Sequence, residues 1–440
     1  MSVRLANSSE GQLIPLVWLL PCSLMSFFPL YKYWNCFSKF FYQGDEWDQL
    51  NQIDSHGYVV WVFSFFGENF VPVFKLIWSS ILILSGGDYH MFIFVLFGAH
   101  AFVVFLLGYL LRIWGFGVFT IVFSQLVLAL NYTNIEILCQ SIQLSNLLSY
   151  GFLLLLLIFF FKPWLEDRDY DGRLCLMLGL LSALGALTFA RGVLNGVVIA
   201  ALAGLLYFVG DPTNSRLLRP AKYVLIPSVI VGLILIVGSL NHGSAFANLG
   251  TGLGATKEHF FYHISLTPWY QQIRNLSIRP SQAILLFELN AIVVVLAFKW
   301  AKGFQRILIL QLLIFFFGNA LILALGRNHL PINSVSGWRY QYGVLLVFTP
   351  MVGLVLEKLL SLRPFRLLPL ICSVFVLYFC GTWVFDDWKY HAPVWSEERG
   401  AVIRASLENE DLENDSFDIS RFDGVTNQRA RELEKRFNLH

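Results

Sequence analysis

The chain has 440 residues, of which 56% are hydrophobic and only 14% charged, and its formal net charge is +2 at pH 7. Soluble domains carry about 25% charged residues, so this composition excludes an ordinary soluble protein and predicts a polytopic membrane protein. Nucleic-acid binding is also excluded, because the sequence has no basic patch large enough to neutralise a phosphate backbone.

Apolar stretches of the length needed to cross a bilayer recur along the chain and predict an all-α fold with about eleven transmembrane helices. No small-residue cleavage site follows the first stretch, so we expect a retained span rather than a removed signal peptide. The expected spans cover residues 12–30, 90–111, 113–130, 144–161, 174–190, 193–209, 223–240, 282–298, 307–325, 341–357 and 367–385.

Lysine and arginine are distributed unevenly between the predicted loops, and this bias predicts the orientation of the chain. With the N-terminus inside, every short inner loop is basic, whereas the outer loop 131–143 has no Lys or Arg. We therefore expect a transmembrane domain over 1–386 with two long outer loops, 31–89 and 241–281. A polar, outer-facing tail at 387–440 is expected to form a small cap or a partly disordered end.

The first outer loop begins with an acidic cluster, Asp45, Glu46 and Asp48, directly after a span. Carboxylates beside a bilayer are costly to bury and usually mark a site, although a solvated loop is the alternative interpretation. We predict that these residues are catalytic, with Asp45 as first choice for a general base and Glu46 as second. Asp48 lies about one helical turn from Asp45 and is expected to share its face.

Four more polar residues near the predicted outer surface are candidates for substrate binding. Glu68 precedes an apolar segment, 71–85, that we expect to lie on the outer membrane surface as an amphipathic helix. Glu136 and Gln140 share one helix face at i, i+4 spacing, where a mutual hydrogen bond is the alternative. Arg191 lies in a tight hairpin without another charge, so we expect it to meet an anion or water.

The later outer loops supply cations and polar rings. The candidates for substrate binding there are Lys257, His263, Arg327, Arg339 and Tyr340. Basic residues at helix ends also snorkel to the interface without any ligand, and this alternative applies to both arginines. His259 and His263 have a spacing that can bind a metal, but no third ligand is evident. We expect no metal and no cofactor, and a divalent cation is not indicated.

Carboxylates in one outer loop and cations in two others suit sugar transfer from a lipid-phosphate donor. A carboxylate accepts the proton of the acceptor hydroxyl as that oxygen attacks the anomeric carbon. Arginine stabilises the departing phosphate, which gains negative charge in the transition state and is bound through two oxygens. The sequence has no nucleotide-binding motif on the inner side, so a nucleotide-sugar donor is not expected.

The layout resembles the GT-C superfamily of membrane glycosyltransferases, which use polyprenyl-phosphate sugars. Asp45-Glu46 resembles the acidic motif of that superfamily's first outer loop, and residues 66–76 resemble the juxtamembrane helix that follows it. Residues 135–140 resemble a Glu…Gln element after the third span. The motifs Gly326-Arg327 and Ser336-Gly337-Trp338-Arg339-Tyr340 resemble Gly-Arg and Ser-Arg-Tyr elements of bacterial envelope members, here with Gly337 and Trp338 inserted. The WWD signature of oligosaccharyltransferases is absent, so a peptide acceptor of that type is not expected.

The resemblance implies an inverting, usually metal-independent transfer of a hexose or related sugar. The expected partners are a polyprenyl-phosphate-linked sugar donor, an envelope glycan or glycolipid acceptor, and the lipid bilayer. The expected location is a bacterial inner membrane, with the active site facing the periplasm. An O-antigen polymerase or ligase is an alternative. A transporter of lipid-linked sugars is less favoured, because it needs polar residues at mid-membrane depth, where Glu288 and His100 are the main examples.

Overall fold

A computed structural model describes residues 16–67, 69–209, 212–241, 253–265, 280–327, 338–362, 386–408 and 425–440. Within these ranges the regular elements are helices, apart from one isolated bridge between Phe66 and Asn69. The all-α prediction is therefore confirmed. In chain order the α-helices are α1 (Leu16–Leu24), α2 (Phe28–Lys32), α3 (Trp34–Phe37), α4 (Asp45–His56), α5 (Tyr58–Val62), α6 (Pro72–Leu84), α7 (Tyr89–Ile113), α8 (Val118–Leu130), α9 (Ile135–Cys139), α10 (Leu144–Leu165), α11 (Gly172–Ala186), α12 (Val193–Val209), α13 (Leu218–Asn241), α14 (Leu253–Ser265), α15 (Pro280–Trp300), α16 (Phe304–Arg327), α17 (Trp338–Ser361), α18 (Trp388–Ser396), α19 (Val402–Glu408) and α20 (Asn427–Phe437).

Seven helical segments among the described residues are long and apolar enough to cross a membrane, and an eighth is added if α8 and the bent segment Tyr132–Cys139 form one span. The chain is thus a multi-pass membrane protein, as the sequence predicts, but the exact count of eleven is not confirmed. The expected span at 367–385 lies outside the described residues. The expected span at 12–30 is divided into α1, a 3₁₀ turn and α2, and its prolines Pro21 and Pro29 lack the amide donor that a continuous helix uses.

The described bundle is built around α10. The apolar window of its segment, Ser141–Leu165, is 78% buried inside the protein, whereas that of Ser281–Trp300 is 22% buried. Lipid tails are as apolar as leucine, so close packing rather than water exclusion holds such helices together. A Cβ on Gly196 of α12 would lie 2.2 Å from the carbonyl oxygen of Val224 in α13. A larger side chain would clash there, so glycine at this position allows α12 and α13 to pack closely.

The loops separate into two groups, at opposite ends of the bundle. At one end, Arg216 and Asp167, from two loops predicted to be inner, form a 2.7 Å ion pair. At the same end, the Thr120 hydroxyl near the start of α8 donates a 2.6 Å hydrogen bond to Glu357 near the end of α17. The other end carries α4, α6, α9 and the start of α17. The grouping agrees with the sequence, and the compartment that each end faces stays a prediction.

The helix α6 has two unlike faces. Phe74, Trp78 and Leu82 are buried, and the Trp78 indole donates a 2.7 Å hydrogen bond to the Ser141 hydroxyl. Leu76 and Leu84 are exposed. A helix therefore forms where the sequence predicts an amphipathic one, and its position on the membrane surface stays a prediction.

Candidate active site

The acidic cluster forms the first turn of α4. Gly44, which precedes the helix, has φ +54°, a backbone conformation that glycine adopts without strain. Asp45, Glu46 and Asp48 then lie at the N-terminus of the helix, where its dipole favours negative charge. The turn sends the three carboxylates in different directions, so that Asp45 is exposed, Glu46 is buried and Asp48 is partly buried.

Glu46 is fully buried in a network that joins α4, α7 and the 3₁₀ turn directly before α10. One carboxylate oxygen accepts hydrogen bonds from the Ser141 amide at 2.5 Å, the Ser141 hydroxyl at 2.6 Å and the Tyr89 hydroxyl at 3.0 Å. The other oxygen accepts one from the Gln43 amide at 2.8 Å. Burial raises the pKa of Glu46 to about 7, although these hydrogen bonds oppose the shift. The carboxylate is saturated by protein donors, so we assign Glu46 a structural role.

The elevated pKa of Glu46 predicts a dependence of stability on pH. A carboxyl that titrates near 4.5 when unfolded and near 7 when folded destabilises the native state as pH rises through this interval. The size is on the order of 3 kcal/mol. The glutamine in Glu46→Gln does not titrate. We therefore expect the thermal unfolding temperature of this variant, measured in detergent, to lack the fall with rising pH between pH 5 and 8 that Glu46 causes in the wild type. If the unfolding temperatures of the wild type and the variant change with pH in parallel, the raised pKa of Glu46 is contradicted.

A cavity of about 320 Å³ opens beside Asp45. Its charged and polar lining consists of Asp45, Asn69, Gln143, Ser145, Asn146, Arg191, Asn319, Arg339 and Tyr340. The remaining lining is apolar. Helices α13 and α16 supply much of it, with side chains such as Leu235 and Leu323, and α6 adds Phe74. Four residues predicted from the sequence, Asp45, Arg191, Arg339 and Tyr340, thus share one cavity although they are up to 295 positions apart in the chain.

Arg191 is 2% exposed, and its guanidinium lies 4.9 Å from the ring of Tyr150 and 4.8 Å from the ring of Phe189. One terminal nitrogen donates to the Tyr150 hydroxyl, whereas Nε is buried without a hydrogen-bond partner in the described part of the chain. A buried guanidinium with an unused donor is costly unless an anion or water meets it. Arg191 lies in the cavity wall, and its role as an anion-binding residue stays a prediction.

Arg339 is held by Glu136. The Glu136 carboxylate accepts a 2.9 Å hydrogen bond from the Arg339 amide, and its other oxygen lies 3.7 Å from the guanidinium. The guanidinium also lies 5.3 Å from the ring centre of Tyr340. Glu136 therefore orients Arg339 and is not itself among the cavity-lining residues. Gln140 accepts a 3.2 Å hydrogen bond from Gln143 rather than bonding to Glu136.

The remaining predicted residues lie outside the cavity lining. Asp48 accepts a 2.6 Å hydrogen bond from Gln52, and burial, followed by the charge of Asp45, raises its pKa. Lys257 is exposed on α14. His263 on the same helix is buried 5.6 Å from the Tyr340 ring, and burial together with His259 and Arg191 lowers its pKa to about 3.

Two predicted residues are described incompletely. Glu68 lies outside the described residues. Arg327 ends α16 directly after the cavity-lining Gly326. Where residues are described, no group of three or more His, Cys, Asp or Glu side chains is arranged to hold a metal ion.

A set of side-chain amides in the cavity wall was not predicted from the sequence. Asn146 donates a 2.5 Å hydrogen bond to Gln143, and the carbonyl oxygens of Asn146 and Asn319 are buried without a partner in the described part of the chain. Spacing offered a signal, because Gln143 and Asn146 are three residues apart at the start of a helical segment and so lie on one face. Gln140 has extended backbone after the end of α9, so the expected shared helix face of Glu136 and Gln140 does not form. Such oxygens accept hydrogen bonds from hydroxyl groups.

No family model matches the sequence, and no curated protein is similar enough to count as a match. Solved structures do match. The archaeal oligosaccharyltransferase AglB of Archaeoglobus fulgidus, in complex with an inhibitory peptide and a dolichol-phosphate, superposes with a TM-score of 0.51 at 14% identity, covering 90% of this chain and 58% of that one. The oligosaccharyltransferase from the same organism gives 0.50 in its apo form, at 13% identity with 90% and 59% coverage. With Zn and sulfate it gives 0.51, at 15% identity with 90% and 56% coverage.

The chain has the GT-C fold. The resemblance predicted from the sequence is thus confirmed at the level of fold. Identity of 13–15% supports no further transfer of properties from these proteins. The chain also spans less than three fifths of their length. Activity, donor and acceptor must therefore be argued from this GT-C-like chain's own cavity.

Proposed function

We propose that the chain is an inverting glycosyltransferase that moves a sugar from a polyprenyl-phosphate carrier to an envelope glycan or glycolipid, on the periplasmic face of a bacterial inner membrane. The observation that carries this proposal is the cavity itself. It combines one exposed carboxylate, Asp45, with two guanidinium groups, Arg191 and Arg339, inside largely apolar walls.

The cavity suits an amphiphilic anion. Apolar side chains of α13 and α16, such as Leu235 and Leu323, provide a surface for an isoprenoid chain. Arg191 and Arg339 provide planar forks that bind phosphate oxygens in pairs. A volume of about 320 Å³ lies at the lower end of the range of about 300–1,000 Å³ typical of ligand pockets. We infer that the cavity holds the phosphate, the sugar and the first part of the lipid.

The transfer itself requires a base and a stabilised leaving group. Asp45 accepts the proton of the acceptor hydroxyl, and the resulting oxygen nucleophile forms a bond to the anomeric carbon from the face opposite the phosphate. The bond between the anomeric carbon and the phosphate oxygen breaks, and its electron pair leaves with the phosphate. Arg191 and Arg339 stabilise that added negative charge, and the Tyr340 hydroxyl is a further donor. Attack from the opposite face inverts the anomeric configuration.

The amides of the cavity wall are suited to the sugar. Asn146 and Asn319 are 3% and 7% exposed, and each has a carbonyl oxygen that needs a donor. Sugar hydroxyls supply such donors, and an unpaired buried acceptor costs about 1–3 kcal/mol. We therefore place the sugar ring between these amides and the two arginines.

The test is donor-dependent transfer by the purified chain in lipid nanodiscs. We expect one or more members of a panel of radiolabelled undecaprenyl-phosphate sugars to lose label to a bacterial lipid and glycan extract, with release of undecaprenyl phosphate. Addition of single sugars supports the proposal, whereas a ladder of products indicates a polymerase. In a parallel assay with the chain in lipid vesicles, movement of the labelled lipid from one leaflet to the other without cleavage of the sugar–phosphate bond would contradict the proposal and indicate a transporter.

A further inference from the structure

The helix α20 packs against α4, the helix that begins with Asp45. Asp54, nine residues after Asp45, forms ion pairs with Arg429 and Arg436, and its side chain is only 8% exposed. The Nε of Arg429 also donates a 2.9 Å hydrogen bond to the side-chain oxygen of Asn51. Three polar contacts thus join α20 to the C-terminal half of α4.

The residues that follow α20 contact the turn before α7. The Tyr89 amide donates a 3.0 Å hydrogen bond to the carbonyl oxygen of His440, and the His440 amide donates one to the Gly87 carbonyl at 3.2 Å. Gly87 has φ +91°, and a Cβ there would lie 2.4 Å from the carbonyl oxygen of Asn438. This close approach requires glycine. The Tyr89 hydroxyl in turn donates a 3.0 Å hydrogen bond to the side chain of Glu46, the neighbour of Asp45.

The preceding helices contact the loop that leads into α4. Arg399 donates a 3.3 Å hydrogen bond to the Gln43 side chain, and the Arg404 guanidinium lies 4.8 Å from the ring centre of Phe41. Arg431 of α20 donates to the carbonyl oxygens of Ser406 and Leu407 at 2.9 and 3.0 Å. The C-terminal helices are therefore connected to one another as well as to the loop that leads into α4 and Asp45.

We propose that residues 425–440 form a C-terminal clamp that fixes the position of Asp45, with Arg429 and Arg436 as positioning residues that act through Asp54. A twelve-residue helix is marginal without tertiary contacts, so α4 depends on its surroundings for its position. The clamp contacts α4 near its end and, through Tyr89, the network beside its beginning. The catalytic part of this inference rests on the proposed function, whereas the positional part does not.

Hydrogen exchange of the full chain in nanodiscs tests the positional part. In Asp54→Asn and in the double variant Arg429→Gln, Arg436→Gln, we expect amides of residues 45–56 to exchange at least about tenfold faster. Arg429→Lys with Arg436→Lys keeps both charges and should retain most of the protection. The matched control is Lys435→Gln, because Lys435 is exposed on the same helix. Unchanged exchange in 45–56, or an equal rise in every helix, would overturn the clamp.

Kinetics tests the catalytic part. A displacement of about 1 Å at a reacting group can cost about 100-fold in rate, so kcat should fall at least tenfold in Asp54→Asn while KM for the donor changes less than twofold. An equal loss in kcat and in donor binding would indicate general instability and overturn the positioning role. If the wild type transfers no sugar at all, the proposed function fails, and the exchange measurement still decides the clamp.

Discussion

Asp45→Asn is expected to lower donor-dependent transfer by about 10³-fold, because the amide cannot accept the proton of the acceptor hydroxyl. Binding of the donor should change less than twofold, since Asp45 acts on the acceptor rather than on the phosphate. Asparagine also has nearly the same size, so the fold should persist. Initial rates with saturating donor, together with separate donor-binding measurements, check both expectations.

The control for this variant is Asp48→Asn, in the same helical turn. Asp48 is bonded to Gln52 and lies outside the cavity lining, so its rate should stay within about threefold of the wild type. If Asp45→Asn keeps the full turnover rate and Asp48→Asn loses most of it, the general base is Asp48 and not Asp45. Full turnover in both variants would contradict carboxylate catalysis by this cluster.

Arg191→Ala is expected to weaken binding of undecaprenyl phosphate by at least about 30-fold, because truncating one partner of a buried charge pair costs about 2–5 kcal/mol. Undecaprenol, which has the same tail without the phosphate, should bind the variant and the wild type alike. The difference in affinity between the two lipids therefore isolates the phosphate contact. Native mass spectrometry or a thermal-shift titration measures it.

Arg191→Lys is the matched control. It keeps the charge but loses the planar fork, so phosphate binding should fall between that of the wild type and that of the alanine variant. In the described part of the chain, the Arg191 side chain donates a hydrogen bond to the Tyr150 hydroxyl, which is a neutral group. We therefore expect both variants to fold. Equal loss of both lipids in Arg191→Ala would show that the residue shapes the cavity rather than binds phosphate.

Much of the candidate site was accessible from sequence because charge is rare in this chain. With only 14% charged residues, each charge near an expected span is costly and therefore informative, and this reasoning selected Asp45, Arg191 and Arg339. It ranked Asp45 before Glu46 as the base, but it did not predict that Glu46 is fully buried. The buried network around Ser141 and Tyr89 decides which carboxylate is saturated.

Neutral polar residues were harder to select. Asparagine and glutamine carry no charge, so their presence in an apolar segment costs less and gives a weaker signal. Asn146 and Asn319 became candidates only when the fold placed α10 and α16 along the same cavity. The contact of Asp54 with α20 likewise joins residues more than 370 positions apart, and no local pattern predicts such a pair.

By itself, the sequence determined the membrane class, the helical fold, most of the apolar segments and the short list of charged residues, because hydropathy and the positive-inside bias are local properties that the bilayer imposes on each segment separately. Only the tertiary structure decided which of those charges share a cavity, which carboxylate is buried among protein donors, and how residues 425–440 contact α4. These outcomes depend on packing between helices distant in sequence, where a shift of a few ångströms changes the partner of a side chain.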